Sequence, residues 1–120
     1  TAAIKVCGLE MARTGMSEQD AKRTGTAYAT NTVKVFNHPA YYPGRQELTI
    51  QLLWEQGTKR LLGANVAGPY GSGAVLRADM FAIAIHTGMT TDELGMVDLT
   101  YAPPFSGVWD AVHIAANAAK

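Results

Sequence analysis

The residues in this chain best suited to chemistry are phenols. Tyr101 heads the hexapeptide Tyr101-Ala102-Pro103-Pro104-Phe105-Ser106, and Tyr41 and Tyr42 lie between prolines in His38-Pro39-Ala40-Tyr41-Tyr42-Pro43-Gly44. A phenol with an ordinary pKa of ~10 is protonated at neutral pH, so it can donate a hydrogen bond or a proton. Two consecutive prolines fix φ twice and remove two backbone donors, which excludes helix and central strand. The hexapeptide is therefore expected to be a stiff, extended arm that presents Tyr101 and Phe105 at a fixed spacing. The plainer alternative is a proline-stopped loop whose aromatics pack on the core.

Other reactive residue types offer less. Cys7 is the only cysteine, which rules out an intrachain disulfide and supplies no metal framework. Far in sequence from any basic partner, it reads as a small buried hydrophobe in an early strand. The glycine-rich stretch Gly68-Pro69-Tyr70-Gly71-Ser72-Gly73 precedes a helical pattern, where free N–H groups bind anions. It lacks the Gly-Lys-Ser/Thr ending and the Gly-x-Gly-x-x-Gly spacing, so a structural turn with Ser72 as N-cap outweighs a phosphate cradle.

The elements that must carry the phenols follow from periodicity. Residues Ile4 to Arg13 lean toward a strand with a bulge at Gly8, and Gly15 breaks the run. Ser17 with Asp20 approximates a capping box and Gly25 sits at C-cap distance, which predicts a short helix over 18–24. Thr26 to Phe36 suits a strand. Leu48, Ile50, Leu52 and Trp54 alternate with Thr49, Gln51, Leu53 and Glu55, and Arg60 to Ala67 returns after Gln56-Gly57-Thr58, which predicts a β-hairpin. Ala74 to Thr87 is helical, stopped by Gly88, and apolar nearly all the way round. Such a helix needs its own sheet on one side and a partner chain on the other. Thr90 with Glu93 caps a second short helix over 91–96. A last helical pattern, 108–119, places Trp109, Val112, His113 and Ala116 on one stripe. The fold class expected is α+β, an antiparallel β-sheet with helices packed on one side.

Composition sets the wider limits. The 120 residues suit one domain, 1–120, and are 48% hydrophobic. Ten basic residues balance ten acidic ones without clustering, which argues against nucleic acid. No stretch approaches the ~18 apolar residues of a membrane span, so a reducing, cytoplasmic setting is the default expectation. The chain begins on Thr1 and ends at Lys120 while a helical pattern is still running, as an excised C-terminal piece of a longer protein does.

The arm, followed by Trp109-Asp110 and Ile114-Ala115, resembles the C-terminal dimerisation domain of the pyridine nucleotide-disulfide oxidoreductases. Within them it is most similar to the branch of coenzyme A-disulfide reductase, NADH oxidase and NADH peroxidase. Thr14-Gly15-Met16-Ser17-Glu18, Tyr41-Tyr42-Pro43-Gly44 and Thr91-Asp92-Glu93-Leu94 match in the same order. The resemblance implies a homodimer whose FAD and NAD(P)H are bound by other domains of the same and partner chains, with no cofactor in this fragment and no metal. It also implies that the arm reaches in trans to the partner's flavin and reactive cysteine. Tyr101 and Tyr41 would be the catalytic phenols, donating to a departing thiolate; Tyr42 is the alternative to Tyr41, and Pro103, Pro104, Phe105 and Ser106 would lie near the flavin and substrate. NAD(P)H-dependent reduction of coenzyme A disulfide or a related disulfide is the activity implied, with an NADH oxidase or peroxidase as the alternative.

One departure limits the chemistry. The glutathione-reductase branch carries a His-Pro pair and a glutamate in this arm, whereas this chain has Tyr-Ala-Pro-Pro. No histidine chemistry is expected, so His86 and His113 read as packed helix residues and His38 as a turn residue. Outside the resemblance, a free-standing small-molecule binding protein remains the rival, with the tyrosines and Gly68 to Gly73 as its pocket.

Overall fold

A computed structural model describes residues 1–120. Five strands, β1 (Ala2–Val6), β2 (Leu9–Gly15), β3 (Tyr28–Phe36), β4 (Glu47–Glu55) and β5 (Leu61–Pro69), form one antiparallel sheet in the order β1-β2-β5-β4-β3. The helices are α1 (Glu18–Thr24), α2 (Ala74–His86), α3 (Thr91–Leu94) and α4 (Ala111–Asn117). This is the α+β arrangement expected, with the helix layer on one side of the sheet.

Period-two alternation decides which side that is. Leu48, Ile50 and Leu52 of β4 and Val66 of β5 point into the helix layer and are fully buried, together with Phe81 of α2 and Val112 of α4. The 48–54 and 60–67 segments pair antiparallel as predicted, with Ile50 opposite Val66, and the ladder slips only at Leu53/Trp54. Ser17 and Asp20 form a reciprocal capping box on α1, which Gly25 closes in the left-handed region at φ 70°. Thr90 and Glu93 do the same for α3.

Several expectations need correction. The run from Ile4 to Arg13 is two strands, β1 and β2, joined at Cys7-Gly8, and both residues have positive φ, 49° and 75°. Paired positive φ is the two-residue turn that matches strand twist. Cysteine is an unusual occupant of it, which hid the hairpin. Cys7 is consequently exposed at a turn tip and is no buried hydrophobe. The N-cap of α2 is Gly73, not Ser72, whose buried hydroxyl makes no hydrogen bond. His86 is exposed on the last turn of α2, although His113 is buried as expected. α3 ends at Leu94, and α4 starts only at Ala111, so Trp109 precedes it and stands exposed.

The expected cover on α2 is there on one face only. Ala74, Ala78, Phe81 and Ala84 pack inward, while Leu76 and Ile83, two turns apart on the outer face, are 69% and 65% exposed. No helix of the chain is long and apolar enough to cross a membrane.

Candidate functional site

The two tyrosine-bearing segments meet at one end of the sheet. Tyr41 and Tyr101, sixty residues apart in sequence, are hydrogen-bonded through their hydroxyls at 3.2 Å. Both rings are open to solvent, Tyr41 at 73% and Tyr101 at 46% exposure. Tyr42 turns away from this pair and meets the His38 ring edge-on, at 5.5 Å between centroids and 87° between planes.

Each segment owes its shape to backbone anchoring. The Tyr41 loop is pinched at its base, where Asn37 N donates to the Gln46 carbonyl and Gln46 N donates to Asn37 Oδ1. Asn37 Nδ2 also donates to the Ser72 carbonyl, which docks the loop on the turn before α2. The proline arm is bent, contrary to the extended connector expected. The Ala102 carbonyl accepts from both Phe105 N and Ser106 N at 2.9 Å, so Pro103 and Pro104 occupy the corner of a turn, where their missing N–H groups cost nothing. Phe105 projects outward from this corner, whereas the Ser106 hydroxyl is buried and donates to the Thr100 carbonyl.

A buried ion pair unites the two segments. Arg77 of α2 binds Asp110 bidentately, Nε to Oδ1 at 3.0 Å and Nη2 to Oδ2 at 2.9 Å, with the residues only 7% and 5% exposed. The same guanidinium donates to the Asn37 carbonyl at 3.1 Å, at the base of the Tyr41 loop, and to the Phe105 carbonyl at 3.3 Å, in the arm. Asp110 also N-caps α4 through Val112 N. Its own N–H donates to His113 Nδ1, which leaves Nε2 to donate to the Val97 carbonyl and fixes the tautomer. His113 is thus a structural residue. Sequence reasoning missed Arg77, although the one guanidinium of a mostly apolar helix is itself a signal, because a buried cation requires a partner.

The hydrogen bond to Tyr101, in which the protonated Tyr41 hydroxyl is held, then desolvation, then charge on Tyr101 push the Tyr41 pKa above its ordinary 10.0.

The glycine-rich entry to α2 is closed to a phosphate. The one helix N-terminus with a glycine-rich approach, Gly71 to Gly73, is already occupied by a carboxylate. Glu10 accepts from Gly71 N at 2.6 Å and from Val75 N at 2.7 Å, which puts negative charge where a phosphate would have to sit. No group of three His, Cys, Asp or Glu side chains stands close enough to hold a metal ion.

Comparison with known proteins converges on one family. The profile described as pyridine nucleotide-disulphide oxidoreductase, dimerisation domain, matches residues 1–112. The NAD(P)H coenzyme A polysulfide/persulfide reductase of Pyrococcus horikoshii is 36% identical over 120 residues, 100% of this chain and 26% of that protein. The NADH oxidase of Streptococcus pyogenes is 30% identical over 122 residues, 98% of this chain and 25% of that protein. Among solved structures, an NAD-dependent persulfide reductase from A. fulgidus superposes with a TM-score of 0.93 at 38% identity, over 98% of this chain and 21% of that one. The chain thus spans about a quarter of the length of the curated relatives it matches. With the five-stranded antiparallel sheet, its helix layer and the match over residues 1–112, the chain belongs to the dimerisation-domain family of the pyridine nucleotide-disulphide oxidoreductases.

Proposed function

We propose that this chain is the dimer-forming part of an FAD- and NAD(P)H-dependent oxidoreductase and completes the redox site of its partner subunit, with a coenzyme A disulfide or persulfide as substrate. The flavin and nicotinamide belong to parts of the parent protein outside this chain, in keeping with the Glu10 carboxylate on the α2 N-terminus. The observation that carries the reading is the Tyr41–Tyr101 pair. Two phenols hydrogen-bond to each other while both remain exposed, so neither serves the core of its own subunit.

The pair has a direction. Cleavage of a disulfide or persulfide sends an electron pair to the departing sulfur, which needs a proton. Tyr101 Oη supplies a hydrogen bond or that proton, and Tyr41, the phenol held protonated to higher pH, donates to the oxygen left behind. Persulfide substrates are favoured over oxygen because the two relatives named for persulfide reduction, one of them also for coenzyme A, share 36% and 38% identity with this chain, against 30% for the NADH oxidase.

The test uses the full-length parent enzyme carrying Tyr101→Phe. Flavin reduction by NAD(P)H is expected to proceed at the parent rate, while reoxidation by coenzyme A disulfide or persulfide slows about 100-fold, in the range typical of a lost general acid. Stopped-flow absorbance of the flavin with each oxidant in turn reads both halves. An unchanged reoxidation rate removes Tyr101 from the chemistry, and preferential reoxidation by oxygen or peroxide assigns the domain to an oxidase or peroxidase.

A further inference from the structure

We propose that Arg77 is the positioning residue of the phenol pair: from inside α2 it grips the Tyr41 loop by the Asn37 carbonyl and the Tyr101 arm by the Phe105 carbonyl, and so fixes one relative to the other. The inference rests on the proposed role of Tyr41 and Tyr101, since positioning matters only if the pair acts.

The geometry singles out this residue. The Tyr41 loop and the proline arm share only one direct side-chain bond, Tyr41 to Tyr101, and that bond is exposed to competing water. An exposed hydroxyl pair does not hold two loops in register by itself. Arg77 supplies the missing constraint from beneath. A single Nη2 reaches Asn37, Phe105 and Asp110, and Nη1 lies against the Ser72 and Gly73 carbonyls at 3.5 Å and 3.4 Å. Asp110 neutralises the guanidinium and locks its rotation through the bidentate contact, so the second Nη2 hydrogen is aimed between the Asn37 and Phe105 carbonyls, which share it. Lysine cannot replace this. Its ammonium is a point charge that pairs with Asp110 without a planar fork to reach two loop carbonyls at once.

The readout that a purely structural role would not move is the titration of Tyr41. In the chain labelled with 13Cζ-tyrosine, five tyrosine signals are followed by NMR against pH and assigned with single Tyr→Phe variants. Tyr41 is expected to titrate above the ordinary tyrosine value of 10.0, and to return toward it in Tyr101→Phe. Arg77→Lys is expected to lose the upward displacement of Tyr41 while the other tyrosines stay put. The neutral pair Arg77→Met with Asp110→Asn provides a second route that leaves no unpaired charge in the interior. It removes both charges together and leaves an asparagine in place of Asp110 to cap α4, a replacement that buried ion pairs generally tolerate. It too is expected to return Tyr41 toward the ordinary tyrosine value. Phe81→Leu, a core change one turn along α2 that removes none of the Arg77 hydrogen bonds, is expected to lower the melting temperature and leave Tyr41 displaced.

A folded Arg77 variant of either kind in which Tyr41 keeps its raised titration overturns the proposal. So does a parent chain in which Tyr41 titrates at the ordinary tyrosine value, because no coupling is then present to be held. Failure of the functional reading shows elsewhere. If Tyr101→Phe leaves turnover of the full-length enzyme unchanged while the Arg77 variants uncouple the phenols, the positioning stands and the assigned chemistry falls.

Discussion

At the scale of single residues, the phenol pair and Glu10 make their contacts across the fold and not along the chain. Tyr41 and Tyr101 stand out by residue type beside prolines, but nothing in sequence joins positions sixty apart, and only the fold brings their hydroxyls to 3.2 Å. Glu10 shows the same gap. In sequence it is one charge in a strand; in the fold it reaches across to α2 and accepts from Gly71 N and Val75 N with 8% exposure. It replaces the Ser72 cap that local pattern predicts, because Gly73 enters the helix in the left-handed region at φ 84° and turns the serine side chain away. Glu10→Ala leaves two helix-end donors without an acceptor, so a loss of about 1 to 3 kcal/mol is expected in urea unfolding. A variant as stable as the parent would mean that water serves those donors equally well.

At the scale of elements, legibility tracked how local the determinants are. α1 is fixed by Ser17, Asp20 and Gly25, all within nine residues, and its limits were predicted correctly. α4 was misjudged at its start, because its cap is Asp110, and Asp110 is held by Arg77 from a distant helix. The arm was misjudged in shape for a related reason: two prolines exclude helix, but the turn is completed by the Ala102 carbonyl and by Arg77 at Phe105. The cap on α1 also carries a pH dependence. The backbone N–H of Ser17 first, then its hydroxyl, and less strongly Arg23, hold the Asp20 pKa below its ordinary 3.8. A carboxylate with a lowered folded pKa contributes stability above its unfolded value and loses it as pH falls through the folded one. The protection of the Ser17 and Asp20 amides, taken relative to their intrinsic exchange, is therefore expected to fall below about pH 4, an effect that Asp20→Asn abolishes. Protection at those amides that shows no step in acid removes the capping box from the account of α1 stability.

At the scale of the whole molecule, the shape and the outer face of α2 argue together. The domain is flat, 45 × 32 × 20 Å, so a large share of each helix layer faces outward. On α2 that outward share includes Leu76 and Ile83, the apolar residues whose near-complete ring in sequence predicted a partner chain. A twofold interface would use each of them twice, once from each copy. Burying one such side chain is worth roughly 1.5 to 3 kcal/mol, so four of them supply about 6 to 12 kcal/mol of gross driving force at the centre of an interface, against which the cost of association is set. Leu76→Glu with Ile83→Glu places four carboxylates on the same axis and removes that contribution. Because both positions are exposed within one subunit, the variant is expected to keep the parent helix content by circular dichroism while light scattering falls from dimer mass to monomer mass. In the full-length enzyme the same change should abolish disulfide turnover and spare flavin reduction by NAD(P)H, since a site completed in trans needs two chains and hydride transfer to the flavin does not need the arm. A variant that remains dimeric places the interface on another face of the domain, and a monomer with full disulfide turnover would show that Tyr41 and Tyr101 never served a neighbour.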